Sequence, residues 1–464
     1  MILSSPLSDG LRWVPGFSEA RHNRCEMAFI LDFLKIFLEN PYKCIDFWKS
    51  YRYNEATEGG MNMICQFSFK NFKSYRDETV FDLQATALPE FADTLIGSPK
   101  ASDLLPVSVI YGPNGGGKTN LLQALTCLLS TVVCPVVNLK TTRSSVILQQ
   151  SVDAVPYLLD HTSKEEPTEF LIYFRTEANE FRYYLSIAGD EVMSESLTRK
   201  GLGSKKPALI FERDNGTIKL GSSIKKRSIN TAVNGKMPYL SFLAINYDIP
   251  VIAEAQKWFE SVIVRNYANP RAEHQIMLSE DAGIQKRILR FLNDMDIDIS
   301  GYRYDEEDEQ LYIIRSINGE NFELPFSEES EGTKKLIAAL PVILVALLEG
   351  RPVIIDELDA KLHPKLLRYI ISLFKNKQVN QKGAQLIFTS HDMTTMKNTV
   401  FRRDEIWFAA LNDTHSSEIY SLYEIRREDN ERVNNTAAYD KQYLEGRYGA
   451  DPYLQNMLAG GEWK

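Results

Sequence analysis

The sequence has few cysteines and no excess of positive charge. Its 464 residues include 5 cysteines, and no two of them form a CxxC pair, so their spacing indicates neither a zinc site nor a disulfide framework. We expect free thiols in a reducing cytoplasm. Acidic residues outnumber basic ones, 62 to 53, which gives a net charge of −9. The net charge therefore does not indicate a nucleic-acid partner, although a local basic patch would still permit one.

Long apolar runs are also missing. The longest extends from Leu336 to Leu348 and contains Pro341, whereas a membrane-spanning helix needs about 20 apolar residues. The sequence thus predicts no transmembrane helix and no membrane partner. Hydrophobic residues make up 44% of the chain, which is enough to bury a sizeable core, and the length allows two or three domains. We expect a globular protein located in the cytoplasm.

The most informative stretch is a glycine-rich loop. It follows an apolar run at 107–111, which predicts a strand, and precedes apolar positions at helical spacing. The pattern Gly112-x4-Gly117-Lys118-Thr119 is that of a P-loop, in which backbone N–H groups surround a phosphate, the lysine reaches the β- and γ-phosphates and the threonine coordinates Mg²⁺. A glycine-rich solvent turn is the alternative. The strand and helix patterns on either side favour the P-loop.

Two further strand patterns end in polar residues. One ends in Asp356 and Glu357; Asp356 would hold Mg²⁺, directly or through water, and Glu357 would polarise the attacking water as general base. Alone, such acids most often begin a solvent-exposed loop. The other strand pattern, 385–389, leads to His391. A single histidine at a strand end is most often structural, but here its place after a P-loop and an acidic strand end favours contact with a γ-phosphate.

A serine and a glycine precede the longest apolar helix pattern. Ser330 is of the type that caps a helix N-terminus, and Gly332 lies just inside the same end. The unpaired N–H groups of a helix N-terminus bind anions. On its own this segment would be interpreted as an ordinary helix start.

The remaining patterns divide the chain into four parts. Residues 1–60 are aromatic-rich and are expected to be a helical N-terminal extension or an over-long start. Residues 61–249 form a lobe with the P-loop and, through alternating apolar residues, an antiparallel meander. Residues 250–305 predict an inserted helical lobe, and residues 306–464 complete the nucleotide-binding core. The fold class predicted is α/β, with a central, mainly parallel sheet.

The order of these motifs resembles the ABC-type P-loop ATPases of the SMC/Rad50/RecF group. More narrowly, segments beginning at Asn71, Gly112, Glu331, Asp356, Thr389, Asp404 and Tyr443 resemble RloA/AbiL-type ATPases of bacterial anti-phage defence, over residues 61 to about 455. The resemblance implies ATP and Mg²⁺ as cofactors, Glu357 as catalytic base, His391 as switch residue, and Thr119 and Asp356 as Mg²⁺ ligands. It implies that nucleotide is bound by Gly112, Pro113, Asn114, Gly115, Gly116, Gly117, Lys118, Thr119, Asn120, Ser330, Gly332 and Asp359.

Two features depart from the common pattern of these ATPases. The signature is Ser-Glu-Gly-Thr rather than Ser-Gly-Gly-Gln, and Lys361 stands where a serine is often found. Both departures leave nucleotide binding intact, but the rate of hydrolysis does not follow from the sequence. The glutamine of the Q-loop is not assigned by the sequence; Gln149 and Gln150 are the candidates.

The resemblance implies a defence ATPase, a homodimer or higher oligomer that closes on ATP and controls a co-encoded effector. A DNA repair or recombination ATPase of the RecF/Rad50 type is the alternative. A fused nuclease is disfavoured because the residues after His391 are fewer than in a usual domain of about 100–150. A transporter ATPase is disfavoured because no membrane-facing surface is recognisable. Fold likeness alone does not decide among these roles.

Overall fold

A computed structural model gives the structure of residues 61–137, 152–224, 228–266, 289, 298–305, 310–426 and 430–450. The chain divides into two units, Met1–Ala56 and Thr57–Lys464, and all of the described residues lie in the second. The predicted N-terminal extension, the Q-loop candidates Gln149 and Gln150, and the end of the motif that starts at Tyr443 lie outside the described residues.

The described elements are mostly strands, which follow one another in runs separated by helices. The strands are β1 (Met63–Lys70), β2 (Thr79–Asp82), β3 (Ile96–Ser98), β4 (Ala101–Leu104), β5 (Val107–Tyr111), β6 (Thr168–Arg175), β7 (Asn179–Ala188), β8 (Glu191–Gly201), β9 (Ala208–Asp214), β10 (Thr217–Leu220), β11 (Ile263–Asn266), β12 (Gly301–Asp305), β13 (Gln310–Ile317), β14 (Glu320–Pro325), β15 (Val353–Asp356), β16 (Leu386–Thr389), β17 (Ile406–Leu411) and β18 (Ser417–Ser421). The helices are α1 (Lys118–Val137), α2 (Tyr239–Asn246), α3 (Pro250–Ser261), α4 (Glu331–Glu349), α5 (Pro364–Lys375) and α6 (Tyr439–Leu444).

A six-stranded, mainly parallel sheet carries the predicted motifs. Its strand order is β11-β15-β16-β5-β17-β18, and only β18 at the edge runs antiparallel to its neighbour. All residues of β5 and of β16 are buried. Strands covered on both faces have continuous apolar sequences, which is why these runs lack alternation. The predicted central parallel sheet is confirmed.

A seven-stranded antiparallel sheet forms the second layer, in the order β10-β9-β8-β7-β6-β1-β2. The alternating segments from β6 to β9 pair as consecutive antiparallel neighbours, as the meander prediction requires. The first predicted strand, β1, joins this sheet rather than the parallel one and pairs with β2 and β6. Gln385, at the start of β16, connects the two sheets because its side chain bonds to the backbone N–H and C=O of Ile64.

One continuous apolar core joins side chains of both sheets to α1, α2 and α3. Among the described helices, α1 alone is long and apolar enough to cross a membrane by length and composition, and 67% of its apolar window is buried inside the protein. Its apolar character is therefore explained by its position in this core. The helix starts at Lys118, immediately after the glycine-rich loop.

The segment predicted as an inserted helical lobe begins within the core. Helix α3 starts at Pro250, as the pattern indicates, but the ring of Trp258 stacks 4.0 Å from the ring of Phe174 in the antiparallel sheet. Strand β11 follows and pairs in parallel with β15. Helix α3 thus packs on the antiparallel sheet and β11 is a strand of the parallel sheet, while the division of the chain at residue 250 stays a prediction. Most of residues 267–297 lie outside the described part of the chain.

Candidate nucleotide-binding site

The glycine-rich loop connects β5 to α1 and is packed against neighbouring backbone. Gly112 has φ 147° and Gly117 has φ 110°, conformations that favour glycine. A Cβ atom on Gly112 would lie 2.1 Å from the carbonyl oxygen of Ala409 in β17, and one on Gly117 would lie 2.5 Å from the Oγ of Ser417. The loop therefore needs glycine both for its turns and for the close approach of β17 and β18.

Lys118 lies at the start of α1 with its side chain turned over the loop. It is 7% exposed, and Nζ donates hydrogen bonds to the carbonyl oxygens of Gly112, at 2.8 Å, and Pro113, at 3.0 Å. Burial lowers the pKa of Lys118, and the charges of Asp356 and Glu357 oppose that shift. The ammonium group is thus enclosed by the loop and close to the acidic strand end. This is the position from which a P-loop lysine contacts phosphate.

The two predicted acids lie where β15 ends. Thr389 Oγ1 donates to Asp356 Oδ1 at 2.6 Å and accepts from the Glu357 N–H at 2.6 Å. Asp356 is half-buried, while Glu357 is exposed and has a left-handed backbone with φ 51°. The Glu357 side chain is accordingly open to solvent at the edge of the sheet. The sequence prediction missed Thr389, because only the strand order shows that the end of β16 lies beside the end of β15.

His391 follows β16, which lies between β15 and β5 in the sheet. Its side chain is exposed, and its backbone N–H donates to Asp359 Oδ2 at 2.8 Å. Because β5, β15 and β16 are parallel, their carboxyl ends share one edge. The structure therefore brings Lys118, Asp356, Glu357 and His391 to the same edge of the sheet.

Ser330 and Gly332 lie at the N-terminus of α4, as predicted. Ser330 is the N-cap, and its Oγ accepts a hydrogen bond from the Thr333 N–H at 3.1 Å. A Cβ atom on Gly332 would lie 2.8 Å from the carbonyl oxygen of Lys361. Glu331, between them, pairs with Lys361 Nζ at 2.9 Å. The start of α4 is thus packed against the loop that follows β15 in the same chain, and Lys361, one of the two departures from the common pattern, makes part of that contact.

The segment that begins at Asn71 supports the P-loop from the antiparallel sheet. Tyr75 is fully buried and its hydroxyl donates to the carbonyl oxygen of Gly117 at 3.2 Å. Asn120 Nδ2 donates to Ser74 Oγ at 2.8 Å. The Asn71 side chain bonds to backbone groups of residues 157–166, and its carbonyl oxygen accepts from the Thr168 hydroxyl. The structure therefore turns the side chain of Asn120 towards this support.

The residues at this edge suit a magnesium nucleotide. The described residues contain no group of three or more His, Cys, Asp and Glu side chains that could hold a metal ion by themselves. Mg²⁺ usually takes one or two protein ligands and completes its shell with phosphate oxygens and water, so Thr119 and Asp356 are sufficient. Asp359 Oδ1 is buried and has no hydrogen-bond partner among the described residues, as is expected of a group that a ligand completes.

A buried lysine in a glycine-rich loop, next to an acidic strand end on a parallel sheet, is the arrangement of a P-loop nucleotide-binding protein. Residues 107–397 match the family described as "AAA domain, putative AbiEii toxin, Type IV TA system", and the chain belongs to this family. No curated protein matches the chain. The SMC head domain from Thermotoga maritima is a similar solved structure, with 14% identity, a TM-score of 0.35 and coverage of 77% of this chain and 98% of that one. A likeness this distant adds nothing to the assignment.

Proposed function

We propose that the protein binds ATP with Mg²⁺ and hydrolyses it. The observation that carries this proposal is the convergence of the P-loop, the two acids after β15 and His391 at one edge of the parallel sheet. Ligands of open α/β sheets bind at the carboxyl ends of the strands. The family described above supports the same class of activity.

The roles of the residues follow from their positions. The backbone of residues 112–117 and the Lys118 ammonium would neutralise the β- and γ-phosphates, and Thr119 and Asp356 would hold Mg²⁺. The metal ion supplies charge neutralisation between the phosphates. Glu357, exposed at the edge, would take the proton of the attacking water. His391, held through Asp359, would contact the γ-phosphate.

Phosphate release by the purified chain tests this proposal. With ATP and Mg²⁺ we expect steady release, and with EDTA none. Asp356→Asn keeps the shape of the side chain and removes its charge, so we expect at least about 10²-fold slower release, the scale on which loss of catalytic charge stabilisation acts. Thr394→Ser, in the turn after His391, is a matched control and should behave as the wild type. A wild-type chain that releases no phosphate would contradict the proposal.

We also propose that two copies close on ATP and that each supplies Ser330 and Gly332 to the nucleotide of the other. The helix N-terminus at Ser330 is suited to an anion, and the resemblance to ABC-type ATPases supports a composite site. Contact of α4 with Lys361 of its own chain would link each signature to its own chain's acidic loop. A two-fold dimer with identical surfaces facing each other follows.

Mixing two inactive variants tests the dimer. Ser330→Arg blocks the shared face with a bulky cation, and Lys118→Ala removes the phosphate contact. A mixed dimer has one site with both changes and one with neither, so activity should recover in part after subunit exchange, which differently labelled subunits can monitor. A Ser330→Arg protein with normal turnover would remove the signature assignment. A mixture that stays inactive despite demonstrated exchange would contradict a composite site in which each half acts independently.

For the biological role we propose control of a co-encoded effector in anti-phage defence. The family description, which names a putative toxin of a type IV TA system, and the motif resemblance support it. The test is phage plating on cells that carry the gene together with its neighbour, with wild-type chain or with Lys118→Ala. We expect protection only with the wild type. Equal plating in both, combined with sensitivity to DNA damage when the gene is deleted, would favour a repair ATPase instead.

A further inference from the structure

Glu357 has a backbone conformation that a residue with a Cβ atom rarely adopts. Its φ of 51° lies in the left-handed region, which is unfavourable for residues other than glycine. Such strain persists only where the surroundings hold the residue in place. The direction in which the Glu357 carboxylate leaves the chain therefore depends on the contacts of its own peptide groups.

Two side chains from different elements hold those peptide groups. Thr389 Oγ1, at the end of β16, accepts from the Glu357 N–H at 2.6 Å. Lys335 Nζ donates to the Glu357 carbonyl oxygen. Thr389 also bonds to Asp356 and therefore links the two acids. Lys335 links the Glu357 peptide group to α4.

Lys335 is a buried cation, so contacts inside the protein must compensate for the water that its ammonium group loses. It is 3% exposed, and burial lowers its pKa to about 8, while the charges of Asp359, Glu357 and Asp356 favour the charged form. Burying a cation is costly unless hydrogen bonds and opposite charges compensate. The bond to the Glu357 carbonyl and the neighbouring acids supply that compensation, so the side chain is committed to the loop after β15.

Through Lys335, the Glu357 peptide group is connected to the N-terminal part of α4. Helix α4 begins beside Ser330, and Lys335 lies on the turn that follows. A shift or rotation of α4 would therefore be transmitted to the Glu357 peptide through the hydrogen bond from Lys335. Its neighbour Lys334 faces elsewhere, because its Nζ bonds to the Ser327 carbonyl and to Glu331.

We propose that Lys335 is a positioning residue for hydrolysis, which holds the Glu357 backbone so that its carboxylate meets the attacking water and couples that geometry to the helix that begins at Ser330. The proposal rests on the ATPase function proposed above, in which Glu357 is the general base. It assigns Lys335 no contact with nucleotide.

Steady-state kinetics of Lys335→Met in the full chain test the proposal. Methionine keeps the apolar stem and removes the ammonium. We expect kcat to fall about 10- to 100-fold, the scale on which small misplacements of catalytic groups act, while KM and the affinity for ATP stay within about 2-fold. Lys335→Arg, which restores a donor, should recover part of kcat. Lys334→Met changes another buried lysine of the same helix and is the control. We expect its kcat to be well above that of Lys335→Met.

Combination with Glu357→Gln separates positioning from a general structural role. If Lys335 acts through the base, Lys335→Met should not slow the residual rate of Glu357→Gln any further. Multiplicative losses in the double variant would overturn the proposal, as would a normal kcat in Lys335→Met. If Lys335→Met does not fold, Lys335→Gln, which is uncharged and too short to keep the contact, carries the same comparison. An inactive wild type would contradict the ATPase function, whereas an active wild type with slow Glu357→Gln and normal Lys335→Met contradicts this inference alone.

Discussion

The two large sheets use their carboxylates in opposite ways. In the antiparallel sheet Glu195 is 1% exposed and accepts hydrogen bonds from the Tyr183 hydroxyl at 2.9 Å, the Tyr239 N–H at 2.5 Å and the Leu240 N–H at 2.9 Å. Its oxygens cap α2 and face fixed donors. At the edge of the parallel sheet the carboxylate of Glu357 is exposed. A carboxylate enclosed by fixed donors stabilises the fold, whereas one at a strand end is available to a ligand.

The two sheets also differ in the side chains and the lengths of their strands. The antiparallel sheet is lined with aromatic contacts, such as the stacked rings of Phe174 and Phe181 at 5.0 Å, and its strands reach 11 residues in β8. The parallel strands β15 and β16 have 4 residues each. Because these strands are parallel, the loops that follow them meet at one end of the sheet, and polar residues on those loops become neighbours. The chemistry is therefore expected at that edge, and the antiparallel sheet is expected to act as its support.

Lys118→Ala should have the largest effect. It removes the buried cation that we propose contacts the β- and γ-phosphates, so ATP binding should weaken at least about 10²-fold, because charge-assisted contacts to phosphate are among the strongest that a side chain makes. Titration calorimetry with ATP and Mg²⁺ measures this, and an unchanged melting curve without nucleotide shows that the fold is intact. Binding at wild-type affinity would contradict the assignment of the nucleotide site to the carboxyl ends of the parallel strands.

Glu357→Gln should affect turnover and not binding. The amide keeps the size of the side chain but cannot accept the proton of water, so we expect kcat to fall by about 10²-fold or more. ATP affinity should stay close to that of the wild type. Single-turnover release of phosphate distinguishes the chemical step from product release. Undiminished turnover would move the general base to another residue.

Glu195→Gln should have the opposite effect: it should lower the stability of the fold and leave the ATPase activity unchanged. The amide NH₂ meets N–H donors of α2 and the negative charge at the helix N-terminus is lost, which should cost about 1–3 kcal/mol, as for other unsatisfied buried groups. Urea unfolding measures this loss, and ATP affinity below the transition should equal that of the wild type. A large fall in affinity in the folded variant would show that the antiparallel sheet takes part in the site.

Most of the motif-bearing elements could be predicted from the sequence because their requirements are local. The strand before Gly112, the helix start at Lys118 and the N-cap at Ser330 depend on residues close in the chain, and each lies where the sequence indicates. The position of α3 in the core was not predicted, for the complementary reason. Helical spacing identifies α3 as a helix but does not say that Trp258 packs on Phe174.

The contacts around Glu357 could not be predicted because they depend on strand order. Strand β16 lies next to β15 and β5 although it follows both in the chain, and only this order brings Thr389 to Asp356. Lys335 is one of two adjacent lysines in an apolar helix. Sequence alone does not show which of the two faces the acidic loop. The close packing of Ala409 on Gly112 likewise requires β17 as a neighbour of β5.

The smallest effect is expected from a chain shortened to begin at Met61. All strands of both sheets and every assigned site residue lie at or beyond Met63, and the chain divides between Ala56 and Thr57. A unit with its own core usually folds alone, so kcat and KM should stay within about 2-fold of the full chain. Phosphate release and thermal unfolding of the two proteins, measured side by side, provide the test. If the shortened chain aggregates while the full chain stays soluble, residues 1–60 complete the core, and the support of the parallel edge then extends beyond the antiparallel sheet.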